Sequence, residues 1–367
     1  MTALYRAEVI GSLLRPAYLK EARQVWEAGT LPTSEFKRLE DRAVNEAIAL
    51  QEAVGLDIVT DGEMRRFLFT GTLTEAIDGI SQTPVATVMH WHGQTPEEEM
   101  EFQFPVSVTG KIRRRRSLAT EEFAYARGKT SKPLKMTLPS PLILGASWSP
   151  EYSAATYPDP FTLFADAVDI LRQEVRELAD LGCQYIQIDA PELTGLIDQS
   201  QRRAFYEARG ISPDRMLSEG IAMINAVADA PGLTFGLHLC RGNNQGRWLN
   251  QGGYETIAKR VFQRATNYDV FLLEYDDWRS GSFAPLADIP RDKTVVLGLV
   301  STKKNAVEPA EGIVARIEEA SRYFPREHLA LSTQCGFASV MMGNPIDAAI
   351  QEAKLQLVAS IAHRVWT

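Results

Sequence analysis

Eight short apolar segments alternate with stretches of helical periodicity along this 367-residue chain. The segments are nearly continuous in apolar residues, which is typical of parallel strands covered on both faces. Eight strand-helix repeats are the number that closes a (β/α)8 barrel. The pattern therefore predicts an α/β fold, a TIM barrel, with strands at residues 8–12, 57–61, 134–139, 184–189, 234–240, 270–275, 294–300 and 329–334.

Three of the intervening stretches carry clear helix signals. Residues 34–54 repeat apolar side chains at the three-and-four spacing of a helix packed on one side. Asp159 followed by Pro160 is a typical helix start, and Gly182 is a suitable end. Asn344 followed by Pro345 predicts the start of a last helix that runs to about His363.

One insertion interrupts the alternation, between about residues 81 and 132. Apolar and polar residues alternate there, as in Phe102-Gln-Phe-Pro-Val-Ser-Val, which predicts an antiparallel β-hairpin standing off the barrel. We expect its charge runs, Glu97–Glu99 and Arg113–Arg116, to pair or be solvated; a lid or a contact between copies in a homo-oligomer is the sharper alternative. The chain is thus expected to be one domain, residues 1–367, with a hairpin excursion.

The composition excludes several classes of protein. Apolar residues make up 45% and charged residues 23%, enough apolar residue for a full core, and the net charge of −8 disfavours nucleic acid as a partner. The amino terminus lacks an apolar stretch of signal-peptide length, and no run is long enough to span a membrane. We expect a cytoplasmic protein. Three cysteines are too few for a disulfide framework, and the two at strand ends, Cys240 and Cys335, indicate metal binding or chemistry instead.

The ends of three predicted strands carry metal-binding residue types. His238 and Cys240 are two residues apart, so on an extended chain their side chains project from one face. Glu274 and Cys335 end two other strands, and the carboxyl ends of parallel strands converge in a barrel. Nitrogen and sulfur ligands suit zinc. The sequence therefore predicts a Zn²⁺ site, although His238 and Cys240 taken alone could equally be core residues.

Polar residues also follow the other predicted strands, where a barrel enzyme has its active site. They are Gly11-Ser12, Asp61-Gly62-Glu63, Pro139-Ser140, Asp189 and Val300-Ser301.

Six motifs resemble, in the same order, those of the carboxyl-terminal barrel of cobalamin-independent methionine synthase. The resemblance covers nearly the whole chain, and it is to the shorter, single-barrel members. The motifs are Val9-Ile-Gly-Ser12, Asp61-Gly-Glu63, Ile186-Gln-Ile-Asp-Ala-Pro191, His238-Leu-Cys240, Leu272-Leu-Glu274 and Cys335-Gly336.

The resemblance implies a zinc site made by His238, Cys240, Glu274 and Cys335 that binds the thiol of a substrate such as homocysteine. It implies that Ser12, Glu63 and Asp189 hold the carboxylate and ammonium groups of that amino acid, with Glu63 and Asp189 as the catalytic candidates. The full set of substrate-binding candidates is Ile10, Gly11, Ser12, Glu63, Asp189, Trp148, Arg241 and Ser301.

Several of these residues have a structural alternative. Glu63 could pair with Arg65 or Arg66, and Asp189 could cap the turn that follows it. Trp148 could stack on a flat methyl donor, but we expect it to pack. His90 and His92 are not expected to bind metal, and Cys183 is expected to be structural.

The chain departs from the family pattern at two places. After the seventh strand the family has a histidine thought to manage protons, whereas this chain has Gly298-Leu-Val-Ser-Thr-Lys-Lys304. Around the last zinc cysteine the family has an aspartate before and a leucine-lysine pair after, and here these positions hold Gln334 and Phe337-Ala338. The alkyl donor is therefore open among methyltetrahydrofolate, a methylated corrinoid protein, a sulfonium and an epoxide.

Three functions remain as hypotheses. The leading one is a zinc-dependent methyltransferase that converts homocysteine to methionine through a zinc-bound thiolate, since a free thiol has a pKa of about 8.5 and is mostly protonated near neutral pH. The second is an epoxyalkane:coenzyme M transferase, a related family, with Arg241, Lys303 and Lys304 available for the sulfonate. The third is a non-catalytic zinc-binding barrel.

Overall fold

The computed structural model describes residues 5–366, except the side chains of Val85 and Ala86. The first four residues, which belong to the stretch compared above with a signal peptide, lie outside the described residues. Seven parallel strands form one curled sheet in the order β1-β9-β8-β7-β6-β5-β4, and β2 and β3 form a separate antiparallel ribbon. The strands are β1 Ala7–Glu8, β2 Ile77–Trp91, β3 Met100–Arg114, β4 Lys135–Pro139, β5 Tyr185–Asp189, β6 Thr234–Leu239, β7 Val270–Glu274, β8 Thr294–Val300 and β9 Leu329–Thr333.

Helices lie between the strands and cover the sheet, which gives the TIM-barrel-like α/β fold predicted from the alternation. None of the helices within residues 5–366 is long and apolar enough to cross a membrane. The helices are α1 Ala17–Glu27, α2 Thr33–Ala53, α3 Gly71–Thr74, α4 Thr120–Ala126, α5 Pro150–Ser153, α6 Pro160–Asp180, α7 Pro191–Gly195, α8 Gln199–Gln201, α9 Pro213–Arg215, α10 Ile221–Val227, α11 Ala258–Phe262, α12 Ala310–Ala320 and α13 Ala348–Val365.

The strand predicted at residues 57–61 is wrong in detail. This segment lies between β1 and β4, but it makes only a single parallel bridge, between Val59 and Leu134. The reason is local, because the side chain of Gln51 takes up the backbone that a ladder would use. Its amide donates to the carbonyl of Thr60 at 2.8 Å and its oxygen accepts from the N–H of Thr60 at 2.9 Å. The barrel closes here through a few backbone hydrogen bonds, from Asp57 N to Ala7 O at 3.0 Å on one side and from Lys135 N to Val59 O at 2.9 Å on the other.

Two of the three helix predictions agree with the structure. The 34–54 stretch forms α2, and Asp159 caps α6 by accepting from the N–H of Phe161 at 3.1 Å. The last helix, α13, starts later than the predicted Asn344. The side chain of Asn344 does not cap a helix because it accepts from Gly246 N at 2.9 Å and donates to Thr302 O at 2.8 Å.

The ribbon of β2 and β3 spans Ile77–Arg114, so it begins and ends earlier than the predicted 81–132, and α4 occupies part of the remainder. The predicted antiparallel excursion is confirmed as a sheet separate from that of the barrel, and its far end returns to contact the barrel. His92, just beyond β2, forms an antiparallel bridge with Trp248, in the loop that follows β6. The backbone carbonyl of Glu98, at the ribbon tip, accepts from Arg247 in the same loop. These contacts fold the end of the ribbon over the barrel mouth.

Candidate active site

Four side chains at the carboxyl ends of β6, β7 and β9 converge at the barrel mouth. Each offers one ligand atom, and these atoms all lie within 4.8 Å of one another. All four residues are buried. The structure therefore brings together the four residues predicted to bind zinc, which are His238, Cys240, Glu274 and Cys335.

The imidazole of His238 is oriented for metal binding. Its Nδ1 atom lies 3.2 Å from the carbonyl of Leu272 on the neighbouring strand β7. Its buried Nε2 atom has no hydrogen-bond partner among the described residues. A backbone carbonyl that holds one ring nitrogen and leaves the other free is the usual support of a metal-bound histidine. Burial alone lowers the pKa of His238, but the nearby negative charges of Cys335, Asp189 and Glu274 help to raise it to about 9.

The two cysteine sulfurs, Cys240 Sγ and Cys335 Sγ, are 3.6 Å apart and both thiols are free. Two sulfurs on a tetrahedral zinc at about 2.3 Å each are separated by about 3.7 Å, so this spacing fits a shared metal. Hydrogen bonding between the thiols raises the pKa of Cys240 and lowers that of Cys335. One of the two is thus already favoured as a thiolate.

Glu274 completes the set with a half-satisfied carboxylate. Its Oε1 accepts from the backbone N–H of Arg241 at 2.7 Å, whereas its buried Oε2 has no hydrogen-bond partner in the described chain. The ammonium of Lys303 lies 3.6 Å from Oε2 and 3.1 Å from Asp276 Oδ2. Burial raises the pKa of Glu274, and the Lys303 charge opposes that shift. The unpartnered oxygen of Glu274 and Nε2 of His238 are therefore two vacant positions for one cation.

Ser12 and Glu63 lie beside this cluster. The hydroxyl of Ser12 accepts from Ala338 N at 3.3 Å, which leaves its proton free to donate. Glu63 has a φ of 54°, an uncommon value for a residue other than glycine and one that clusters at functional sites. Its Oε1 accepts from Thr137 at 2.8 Å and lies 3.5 Å from Arg66, while Oε2 has no partner among the described residues. Arg66 is therefore paired with only one of the two carboxylate oxygens of Glu63.

Arg65, the other alternative partner of Glu63, is engaged elsewhere. Its guanidinium pairs with Asp41 at 2.5 Å and with Glu40 at 3.4 Å. Gly11 explains how the Glu63 carboxylate fits against the barrel, because a Cβ at Gly11 would lie 2.6 Å from Glu63 Oε1. A side chain at residue 11 would therefore displace Glu63.

Asp189 ends β5 and lines the same cavity. Its Oδ1 accepts from Gln187 at 2.7 Å, and the helix that follows has no side-chain cap, so capping is not its role in this structure. Burial raises the pKa of Asp189 to about 7. A cationic group bound beside it would bring the carboxylate back to its charged form.

One cavity joins these groups and is walled mainly by apolar side chains. It is lined by Ile10, Gly11, Ser12, Glu63, Asp189, His238, Cys240 and Cys335 from the predicted site. The ribbon supplies part of the wall, which the sequence did not suggest. Its contribution is Met89, Trp91, Phe102 and Phe104.

Three predicted substrate-binding residues do not line the cavity. The indole of Trp148 donates to the carbonyl of Tyr157 at 2.9 Å and packs in the core. The guanidinium of Arg241 stacks on the ring of Tyr254, 4.4 Å from its centroid, and donates to Gly252 O. Ser301 donates to Asp276 at 2.8 Å. All three are held by structural contacts.

The two histidines of the ribbon and the third cysteine make local contacts. His90 and His92 lie 3.2 and 3.5 Å from the carboxylates of Glu101 and Glu99, away from the four-residue cluster. Cys183 is buried and its thiol donates to the carbonyl of Tyr185.

Glu192 is a cavity residue that the sequence reasoning missed. It lies in α7, directly after the Asp189-Ala-Pro191 motif, and burial raises its pKa to about 8. In a sequence, a carboxylate in the first turn of a helix is already explained by its favourable contact with the helix dipole. Its closeness in sequence to Asp189 was the one available signal.

Comparison with known proteins places the chain in a family. Residues 6–354 match the family model of the catalytic domain of cobalamin-independent synthase. The chain is 34% identical over 369 residues to the uncharacterized protein YxjH of Bacillus subtilis, covering 99% of this chain and 95% of that protein. It is 27% identical over 338 residues to a 5-methyltetrahydropteroyltriglutamate–homocysteine methyltransferase of Thermotoga maritima, covering 91% of this chain and 41% of that protein.

A solved structure supports the same fold. The B12-independent methionine synthase from Shewanella sp. W3-18-1 superposes with a TM-score of 0.76 at 22% identity, covering 99% of this chain and 98% of that chain. The chain belongs to the cobalamin-independent methionine synthase family and corresponds to its catalytic domain, as the motifs predicted. It is therefore a methyltransferase of that family.

Proposed function

We propose that this protein transfers a methyl group to the sulfur of homocysteine, giving methionine, with Zn²⁺ held by His238, Cys240, Glu274 and Cys335. The observation that carries the proposal is the convergence of four ligand atoms within 4.8 Å, two of which, His238 Nε2 and Glu274 Oε2, are buried without a partner in the described chain. Buried polar atoms are normally satisfied, so a vacancy shared by two of them indicates a ligand.

The bound zinc would supply a Lewis acid that keeps the substrate thiol deprotonated near neutral pH. The residues around it set its charge and access. Two thiolates and one carboxylate exceed the charge of the metal, and the ammonium of Lys303, 3.6 Å from Glu274 Oε2, offsets part of the excess. The apolar wall excludes water, which strengthens these charge interactions.

The amino acid part of the substrate would bind between Ser12, Glu63 and Asp189. The unpartnered Oε2 of Glu63 and the carboxylate of Asp189 suit the ammonium group. The free proton of the Ser12 hydroxyl suits the substrate carboxylate, with Ile10 and Gly11 beside it on the cavity wall. Held by these contacts, the substrate would direct its sulfur toward the four metal-binding residues.

The cavity chemistry disfavours the coenzyme M alternative. A sulfonate needs a cationic partner, but none of the residues that line the cavity in the described chain is lysine or arginine. Lys303 is fully occupied with Asp276 and Glu274, Arg241 is stacked on Tyr254, and Lys304 is exposed. A non-catalytic zinc barrel would gain nothing from the buried Oε2 of Glu63, which has no hydrogen-bond partner in the described chain and is not one of the four metal-binding groups.

Calorimetry with zinc-loaded and metal-depleted protein tests the proposal. We expect homocysteine to bind the zinc-loaded form and to bind at least about tenfold more weakly without metal, with coenzyme M failing to compete. The Cys335→Ser variant should lose both zinc and homocysteine binding, and Cys183→Ser serves as the matched control. Zinc-loaded protein that binds coenzyme M but not homocysteine would refute the choice of substrate.

A further inference from the structure

Three carboxyl groups line the cavity, and no lysine or arginine from the described residues joins them there. The carboxyls belong to Glu63, Asp189 and Glu192. The ammonium group of a bound amino acid would satisfy the first two, as proposed above. Glu192 then remains as an acidic group that the binding of homocysteine does not use.

The carboxyl of Glu192 is buried and only half satisfied. Its Oε2 accepts from the hydroxyl of Ser140 at 2.8 Å, whereas Oε1 has no hydrogen-bond partner in the described chain. The side chain is nine-tenths buried or more, at 6% exposed. Its backbone carbonyl accepts from the hydroxyl of Tyr206 at 2.8 Å, which fixes the turn that carries it. A fixed, half-satisfied carboxyl in an apolar cavity suits a cationic group.

Aromatic faces surround the part of the cavity that is free for a second substrate. Phe205 and Tyr206, from the turn Arg202–Tyr206, line the cavity together with Trp91, Phe102 and Phe104 of the ribbon. Phe102 and Phe104 pack edge to face with centroids 4.9 Å apart. Aromatic faces attract positively charged methylated groups, because the ring carries negative charge density on its face. An acidic group combined with several aromatic rings is a recognised way to bind such a cation.

We infer that the methyl donor of this protein is a sulfonium cation, bound between the aromatic residues of the ribbon and the carboxyl of Glu192. This inference rests on the proposed methyl transfer to homocysteine and names the second substrate of the same cavity. The positive charge would sit in a cavity that offers acidic groups and no lysine or arginine from the described chain.

Methyl transfer from a sulfonium to homocysteine needs no further reactant. The thiolate sulfur of homocysteine forms a bond to the methyl carbon, and the bond from that carbon to the sulfonium sulfur breaks. The electron pair of the broken bond stays on the leaving sulfur, which departs as a neutral thioether. No proton is transferred, so no acid is needed at the leaving group. In agreement with a reaction that needs no acid, the polar residues that follow β8, Ser301 and Lys303, do not line the cavity.

Trimethylsulfonium tests the inference on the zinc-loaded full chain. We expect it to bind in calorimetry and, with homocysteine present, to give methionine and dimethyl sulfide in equal amounts. Absence of both binding and turnover would overturn the donor assignment. Turnover with methyltetrahydrofolate and none with the sulfonium would also overturn it while leaving the proposed function intact. Homocysteine binding in the same samples shows whether the acceptor assignment fails as well.

Two variants test the placement of the cation. Glu192→Gln keeps the shape of the side chain and should raise the KM for trimethylsulfonium about tenfold, with the KM for homocysteine within about twofold. Glu207→Gln is the matched control, because Glu207 is exposed, pairs with Arg202 at 2.9 Å and does not line the cavity. An unchanged sulfonium KM in Glu192→Gln, or an equal rise in Glu207→Gln, would contradict the inference. Zinc content and circular dichroism confirm that each variant is folded.

Discussion

Two glutamates of this protein are equally buried and differ completely in their surroundings. Glu174, on α6, accepts from the backbone N–H groups of Leu118, Ala119 and Thr120 at 2.6–2.9 Å and from Arg114 at 2.5 Å. Glu274, at the end of β7, accepts one backbone N–H and leaves its second oxygen without a hydrogen bond in the described chain, with the ammonium of Lys303 3.6 Å away. The hydrogen-bonding capacity of the first carboxylate is filled by the chain, whereas that of the second is filled only in part.

The number of hydrogen-bond donors around each carboxylate distinguishes a structural buried charge from a functional one. A buried carboxylate that collects several N–H donors holds the fold together, because those donors would otherwise be unsatisfied. A buried carboxylate with an orphaned oxygen costs stability unless a ligand arrives. The same protein therefore contains both uses of one residue type, at the outer helix layer and at the barrel mouth.

Removing a metal ligand should give the largest effect. Cys335→Ser is expected to lose stoichiometric zinc and to reduce methyl transfer by more than about a thousandfold, because the thiol of the substrate is then left protonated. Metal analysis and initial rates measure both effects. Cys183→Ser, at a buried cysteine remote from the cluster, should retain zinc and rate. Full zinc content in Cys335→Ser would break the assignment of the mouth as a metal site.

Changing the structural glutamate should affect stability instead. Glu174→Gln is expected to lower the free energy of unfolding by about 2–4 kcal/mol, because a carboxamide cannot accept all four donors. Glu274→Gln in metal-free protein should change it by less than about 1 kcal/mol, since the amide oxygen can still accept from Arg241 N and a buried charge is removed. Urea unfolding measures both. Equal losses in the two variants would remove the contrast.

The pH dependence of stability should reveal the raised pKa of Glu192. Burial raises this pKa from 4.5 to about 8 in the folded protein. Above about pH 4.5 the unfolded chain loses this proton while the folded protein keeps it. The contribution of Glu192 to the free energy of unfolding is therefore highest below about pH 4.5 and falls as the pH rises through about 8. Glu192→Gln cannot ionise, so it should be more stable than the parent at pH 9, by an amount on the order of 1–3 kcal/mol, and similar at pH 5. Parallel curves for the two proteins would contradict this.

Crowding the amino acid site should have the smallest effect. A Cβ at Gly336 would lie 2.0 Å from the hydroxyl oxygen of Ser12. Gly336→Ala is therefore expected to raise the KM for homocysteine about tenfold while zinc content stays stoichiometric. Gly312→Ala, in the exposed part of α12 with nothing within 4 Å, is the matched control and should leave KM unchanged. Equal KM values would place the substrate carboxylate away from Ser12.

Much of this site could be predicted from the sequence because barrel strands bring their carboxyl ends together. The spacing of His238 and Cys240 and the strand-end positions of Glu274 and Cys335 needed no further information. The segment 57–61 could not be judged in the same way, because the contact of Gln51 with Thr60 depends on the packing of α2. The roles of the ribbon and of Arg241 depend on how loops fold over the mouth, which strand periodicity does not encode.

X-ray absorption at the zinc edge counts the sulfur ligands of the metal. We expect one zinc per chain with two sulfur ligands in the protein alone and three once homocysteine is added, in agreement with Cys240, Cys335 and an incoming thiolate. A sulfur count that stays at two after homocysteine binds, or zinc bound without sulfur, would contradict the account.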